Sequence, residues 1–350
     1  MGSESSQGIS FAGADKMSFT AAATNPELRT PNKLASLVRS QYLILILSLL
    51  YFLVLAPFTP GFATTGNLAN ILSTLLPLCA VAVGQTLVLI TGGIDLSATS
   101  IIALSSVAGA AVMNTENGLL AGSPLAIPAG VLSMLAVGAL LGFGNGLAVT
   151  LLRMPAFIVT LTAMMFWSGF AIWSTASKNI NQLPAGFNAL GQNIWLALGL
   201  TTFFALSAHV MLSRALWGRW LYAVGHNSKA AKISGVPVNG LVLSAYVASG
   251  ISAGLASVLY TGQAETGSPV LGQRILLDVI GATVIGGTSL FGGKGKVMWT
   301  FFGVLFIKLI DNSLNLLDLS YFSIMMVKGG IIVAAALLDA VRSKPSWAAT

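Results

Sequence analysis

Apolar runs of bilayer-crossing length recur along nearly the whole chain, and nothing else in the sequence limits its fold so strongly. A helix needs about 20 predominantly apolar residues to cross the hydrocarbon core of a membrane. Stretches of this kind occupy 42–58, 68–91, 96–113, 126–151, 155–176, 194–212, 241–260, 276–290, 297–317 and 322–340. Backbone groups in lipid must be bonded within the chain, so these runs predict helices and the fold class is an all-α polytopic membrane protein of about ten transmembrane helices. Composition closes off the soluble alternative. The 350 residues are 55% hydrophobic and 8% charged, against about 25% charged in an ordinary soluble domain, too few charges to coat a water-facing surface. Segment 276–290 is the shortest and is rich in glycine, which predicts a broken or re-entrant helix.

Basic residues orient the spans. With the N-terminus in the cytosol, Lys16, Arg29, Lys33, Arg39, Arg153, Arg214, Arg219, Lys229, Lys232, Lys294, Lys296, Arg342 and Lys344 fall inside, and only Lys178 and Arg274 fall outside. That bias puts both termini in the cytosol and accounts for the net charge of +7 as topology. A nucleic-acid site would need a continuous basic surface with interleaved aromatics, and no segment offers one. Residues 1–39 are small and polar and lack the order of a signal peptide, so they read as a disordered cytosolic tail; 40–340 form the membrane domain and 341–350 a cytosolic C-terminal tail.

Three glycine-punctuated strings stand out. The longest cytosolic stretch, 213–240, contains Gly225-His226-Asn227-Ser228-Lys229-Ala230-Ala231-Lys232-Ile233-Ser234-Gly235-Val236-Pro237. Asn227 can cap a short helix, Ala230 and Ala231 allow another surface to approach closely, and Gly235 with Pro237 ends the helix. Such a loop suits reception of a push from a soluble partner, or is an ordinary helical loop under charge bias. Next, Gly92-Gly93-Ile94-Asp95-Leu96-Ser97 permits a backbone break, with Asp95 or Ser97 capping the helix that follows, and a related string runs from Gly286 to Gly293. Gly-interrupted segments in both halves of a chain point to an internal repeat around a transport path, or are simply two capped helix ends. Last, Gly142-Phe143-Gly144-Asn145-Gly146 precedes Pro155-Ala156-Phe157-Ile158-Val159-Thr160-Leu161. Its glycines suit close helix packing, and Asn145 must find a hydrogen-bonding partner.

Charged groups within spans must be neutralised. Lys308 and Asp311 lie three apart on one helix, and the remaining Asp278 and Lys328 would form a cross-helix pair; a proton relay is the alternative use of such groups. Gln85, Asn145, Thr160, Asn312 and Asn315, with Trp167 and Trp173, either line a path for a hydroxyl-rich solute or serve helix packing and interfacial belts. The single cysteine, Cys79, and the separated His209 and His226 supply no metal site, and no cluster of nucleophile and base supports an enzyme.

Taken in order, the chain resembles the permease subunits of bacterial ATP-binding-cassette importers of the ribose, xylose, arabinose and galactose type. The resemblance runs from about Ser40 to Asp339. It rests on Gly92-Gly-Ile-Asp-Leu-Ser97, Asn145-Gly146, Phe157-Ile-Val-Thr-Leu161, the 225–235 loop, Asp278-x-Ile280-Gly-Ala282 with Val284-Ile-Gly-Gly-Thr-Ser-Leu290 and Gly292-Gly293-x-Gly295, and Asn312 with Lys328-Gly329. It implies a vitamin-B12-importer-like permease, paired with a second copy, two cytosolic ATPases and a periplasmic or lipid-anchored sugar-binding protein at the bacterial inner membrane. It also implies that Gly225, Asn227, Ala230, Ala231, Ser234 and Gly235 form the ATPase-coupling loop, and that Gly92, Gly93, Asp95 and Ser97 belong to the path or its gate. The chain has no Gly-x-x-x-x-Gly-Lys-Ser/Thr loop, so ATP and Mg belong to the partner and no cofactor is expected here. A stand-alone ion-coupled carrier is the rival reading. Ala98-Thr99-Ser100 and His226 depart from the family's usual Val-Gly-Ser and second glycine.

Overall fold

A computed structural model describes Gly2 and residues 42–343, with side-chain surroundings given as far as 337; the expected N-terminal tail otherwise lies outside the described residues, as does the chain beyond 343. Each expected span contains a helix. In chain order these are α1 (Leu43–Leu55), α2 (Thr65–Ile90), α3 (Ala98–Met113), α4 (Ala126–Thr150), α5 (Ala156–Ser174), α6 (Ala185–Gln192), α7 (Ile194–Arg214), α8 (Leu216–His226), α9 (Ser228–Ile233), α10 (Val238–Ala264), α11 (Leu276–Ile285), α12 (Val297–Leu316) and α13 (Tyr321–Ser343). The described residues contain no strand, only an isolated antiparallel bridge between Ile180 and Gly267. α13 continues three residues into the stretch expected to be a tail.

Six of the helices, α2, α4, α5, α7, α10 and α12, are both long and apolar enough to cross a membrane, and the protein is a multi-pass membrane protein. The other four helices within expected spans are shorter over their described lengths: α1, α3, α11 and Tyr321–Leu337 of α13. At 1.5 Å per residue, the ten residues of α11 cover about 15 Å, half of a hydrocarbon core. The helix stops at Gly286, and irregular backbone continues to Lys296 before α12 begins.

α2 and α10 form the centre. Burial reaches 83% of the most apolar stretch of α2 and 61% of that of α10, but only 17% in α5 and α7. α10 packs on α4 through glycines: a methyl added at Gly138 would strike the Gly250 carbonyl oxygen, and one at Gly142 the carbonyl oxygen of Tyr246. Gly138, Gly142 and Gly146 repeat every four residues, which puts a side-chain-free stripe on one face of α4 and lets the two backbones touch. Gly144, on the opposite side, meets nothing within 4 Å.

Candidate functional site

The 91–97 segment does not lie on the surface between two spans. α2 ends at Ile90, the chain turns at Gly92 with φ +81°, and the following residues run without helix into the bundle. Asp95 is 1% exposed. Its Oδ1 accepts from the Ser97 amide at 3.0 Å and the Ser97 hydroxyl at 2.6 Å, and its Oδ2 accepts from the Ser249 hydroxyl at 2.8 Å. Ser249 is eleven residues into α10, about 16 Å from that helix's start. α3 therefore begins inside the protein: Gly92 is still exposed, but Asp95, Leu96 and Ser97 are buried, and irregular backbone at such depth is tolerated where protein surrounds it. Three donors replace the water that the carboxylate loses, which is how a buried acid without a cation is made tolerable.

Asn145 joins the same network by donating to the Ser97 hydroxyl oxygen at 2.7 Å. Thr160 donates to its own helix at Ala156 O, 2.8 Å, and also reaches Ile94 O at 3.3 Å, where the Tyr246 hydroxyl donates at 3.2 Å. Four sequence-selected residues, Asp95, Ser97, Asn145 and Thr160, thus converge on one strut between α3, α4, α5 and α10. Neither Asp95 nor Ser97 caps α3 in the expected manner: Asp95 binds the amide of the N-cap residue Ser97 itself, and the Ser97 side chain makes no cap bond. Ser249 and Tyr246 were not selected from the sequence. The small-residue run Ser249-Gly250-x-Ser252-Ala253-Gly254 in a span is the pattern that could have pointed to them.

The short helix expected on the cytosolic side forms as its sequence predicts. Asn227 Oδ1 accepts from the Ala230 amide at 3.0 Å, α9 ends at Ile233, and Gly235 takes φ +82°. The small face is used differently from expectation. Ala231 is 6% exposed and packs in a cluster with Leu221, Val224 and Leu241, because α9 folds back on α8 and the start of α10. Ala231 therefore serves the loop's own packing. The outward face carries Lys229, Ala230, Lys232 and Ile233, and Ile233 is 88% exposed. α8 turns the other way, toward the bundle: Tyr222 donates to Gly295 O at 2.6 Å, and burial raises its hydroxyl pKa, so it remains a protonated donor at neutral pH.

All four intramembrane charges come together on α11, α12 and α13. Lys328 Nζ is 2.8 Å from Asp278 and 2.8 Å from Asp311, and Lys308 Nζ is 3.4 Å from Asp311. Two lysines and two aspartates make the group neutral. The Lys328–Asp311 contact had no sequence signal, since Asp311 already has a partner three residues away.

The remaining polar residues separate. Asn312 and Asn67 exchange two amide hydrogen bonds, of 2.7 and 2.8 Å, pinning α12 to α2. Asn315 donates to Asp311 O at 2.6 Å. Gln85 is fully buried and neither of its amide atoms has a protein partner. Trp167 packs edge-on against Phe166 and Phe170 along α5, and Trp173 is 76% exposed. A cleft of about 270 Å³ between α4 and α5 is lined by Asn145, Met154, Val159, Thr162 and Phe166. A larger one, about 520 Å³ on the expected outer side, is lined by Asn114, Asn117, Asn179, Asn181 and Gln182. Among the described residues no group of histidine, cysteine or acidic side chains is arranged to hold a metal.

The family model described as branched-chain amino acid transport system / permease component matches residues 67–336. The ribose import permease of Escherichia coli K12 is 34% identical over 307 residues, covering 84% of this chain and 92% of the relative. That of Bacillus subtilis 168 is 36% identical over 298 residues, with 81% and 88% covered, and the L-arabinose permease of E. coli K12 is 31% identical over 308 residues, with 87% and 92% covered. No solved structure matches. With residues 67–336 matched, the chain belongs to the branched-chain amino acid transport system / permease component family, and it is similar to ribose import and L-arabinose transport system permeases.

Proposed function

We propose that this chain is the membrane-spanning subunit of an ATP-binding-cassette importer and forms the translocation path for a monosaccharide, pentose or hexose, or a related polyol. Relatives named as ribose and L-arabinose permeases support the sugar class, in preference to the amino acids in the family's description. In this reading the ten helices span a bacterial inner membrane with both termini in the cytosol, in a vitamin-B12-importer-like architecture. A second copy completes the path, a periplasmic or lipid-anchored binding protein delivers the solute, and a separate ATPase uses ATP and Mg.

The observation that carries this reading is the α8–α9 element. It is a capped, compact projection whose outer face holds Ile233 beside Lys229 and Lys232, and a carrier working without a soluble motor has no use for it. ATP-driven closure of the partner would displace this element and alternate access to the path. α5 buries only Val159, Thr160 and Ala171, so its Thr162, Phe166 and Trp173 face is free to border the path where the second copy meets it. The charge group on α11–α13 is neutral and pairs both of its own acids, Asp278 and Asp311, with lysines, which weighs against their use as an ion-coupled relay.

The test is a mild-detergent purification of the tagged chain from its native membrane, with mass spectrometry and an ATPase assay of the eluate. Recovery of an active nucleotide-binding subunit, lost on Ile233→Glu with membrane insertion retained, is the expected result. A chain that purifies alone and moves solute into liposomes without nucleotide would replace this reading with the carrier.

A further inference from the structure

Three stretches of chain that no local pattern connects meet backbone to backbone at the inner ends of the helices. They are the end of α2 at Ile90 to Gly92, the end of α8 at Gly225, and Gly292-Gly293 in the loop between α11 and α12. A methyl added at Gly225 would overlap the Ile90 carbonyl oxygen and the Gly293 amide. The Gly293 amide itself donates to Ile90 O at 2.8 Å. A methyl at Gly292 would lie 2.9 Å from Gly92 Cα and 3.0 Å from the Gly225 carbonyl oxygen. Gly292 and Gly293 also hold φ of +88° and +72°, where a side chain is strained. Tyr222, one turn before Gly225, ties α8 to the same loop through Gly295 O at 2.6 Å.

Contacts between main chains behave unlike contacts between side chains. No rotamer can change to absorb a displacement, and a close-packed interior transmits it. A shift of α8 must therefore move the Ile90–Gly92 turn and the 292–295 loop with it. The turn is four residues from Asp95, whose bonds to Ser97 and Ser249 set where α3 begins.

Resting on the function proposed above, we infer that this glycine junction delivers the displacement of α8–α9 to the α2–α3 turn and the α11–α12 loop, in addition to any pull through the covalent links to α7 and α10. Gly225, Gly292 and Gly293 are then positioning residues for transport, and the two Gly-interrupted segments act as one receiving unit. The placement also explains why glycine is needed where the motifs carry it, which packing in lipid alone does not.

The experiment uses the permease reconstituted in proteoliposomes with its ATPase and binding protein, and reads solute moved per ATP hydrolysed. Gly225→Ala is expected to retain the ATPase in wild-type amounts and to hydrolyse ATP, with solute per ATP falling at least about tenfold. Gly240→Ala is the control, because a methyl there meets nothing within 4 Å, and its ratio stays at the wild-type value. Two further variants keep the idea testable if Gly225→Ala fails to insert. Tyr222→Phe removes one hydroxyl and lowers the ratio by about two- to fivefold. Gly293→Ala drives its methyl into the His226 ring, so His226→Ala added to it restores part of the lost ratio. An unchanged ratio in Gly225→Ala, or in both Tyr222→Phe and Gly293→Ala, overturns the inference, as does a fall of hydrolysis and transport in equal proportion. A wild-type chain that retains no ATPase overturns the proposed function instead, so the two failures are distinct.

Discussion

Replacing Lys328 with Met removes a cation that faces both a buried aspartate, Asp278, and a partly buried one, Asp311. Lys328 is 2.8 Å from both Asp278 and Asp311, and the three side chains are 12%, 6% and 19% exposed. Without it, Asp278 has no basic group within 4 Å among the described residues, and Asp311 keeps Lys308 at 3.4 Å. Breaking a buried pair by deleting one partner costs about 3–5 kcal/mol. At roughly 2–4 °C per kcal/mol for a chain of this order of size, the midpoint of thermal unfolding in detergent should fall by about 6–20 °C. Asp278→Asn is milder, because Lys328 keeps Asp311. The double variant Asp278→Asn/Lys328→Met leaves the neutral Lys308–Asp311 pair, so it should be more stable than Lys328→Met alone, with a coupling of about 1–3 kcal/mol in the double-mutant cycle. The assay is the fraction of detergent-solubilised protein that stays monodisperse after heating, across the four members of the cycle. A Lys328→Met midpoint within about 1 °C of wild type, or a double variant no better than that single one, would refute the argument. The geometry also makes a specific prediction against simple charge exchange. Asp278→Lys combined with Lys328→Asp would set an aspartate at 328 against Asp311, so rescue should be incomplete even though one pair is re-formed.

Four further outcomes follow from the same contacts. Ser249→Ala strips Asp95 Oδ2 of its only hydrogen bond and should cost about 1.5–3 kcal/mol, with Ser249→Thr close to wild type in the same heating assay. Gly142→Val presses a branched side chain onto the Tyr246 carbonyl and should lower stability by about 1–3 kcal/mol or more, while Gly144→Val, where nothing lies within 4 Å, should change little. Asn312→Ala leaves the Asn67 side-chain oxygen without its donor and should cost about 1–3 kcal/mol, and adding Asn67→Ala also breaks the Asn67 bond to Phe62 O at 2.9 Å and should cost about 0.5–1.5 kcal/mol more, which thermal midpoints of the pair will check. Gln85→Leu removes a buried amide that has no hydrogen-bond partner among the described residues and should raise the midpoint; a fall would mean that the amide is satisfied by something it contacts in the working transporter.

Hydropathy along the chain was enough to place a helix in every long apolar run, six of them long enough to cross a membrane, because each transmembrane helix must satisfy its own backbone and so declares itself locally. The charge bias, the cap at Asn227 and the glycine-spaced face of α4 were legible for the same reason: each depends on residues within a few positions of one another. Helix length was less so. α3 and α11 stop short of full spans where the backbone at 91–97 and 286–296 leaves the helix and is held by distant partners such as Ser249 on Asp95 and Ile90 on Gly293, and hydropathy cannot distinguish coil held in this way from helix.

The burial of Ala231 was beyond a local reading, since spacing marks a small face without saying which surface covers it. Asp311 shares Lys328 across α12 and α13, Asn312 pairs with Asn67 from 245 positions away, and Ser249 completes the Asp95 network from 154 away. The sequence by itself determined which segments are helical, which of them can enter a membrane, and which side of it the basic loops are expected to occupy, since these follow from what each short segment can satisfy alone. Only the tertiary structure decided that the two Gly-Gly strings and Gly225 touch, because contact between distant backbones depends on how whole helices pack, and glycine at each position permits that approach without specifying its partner.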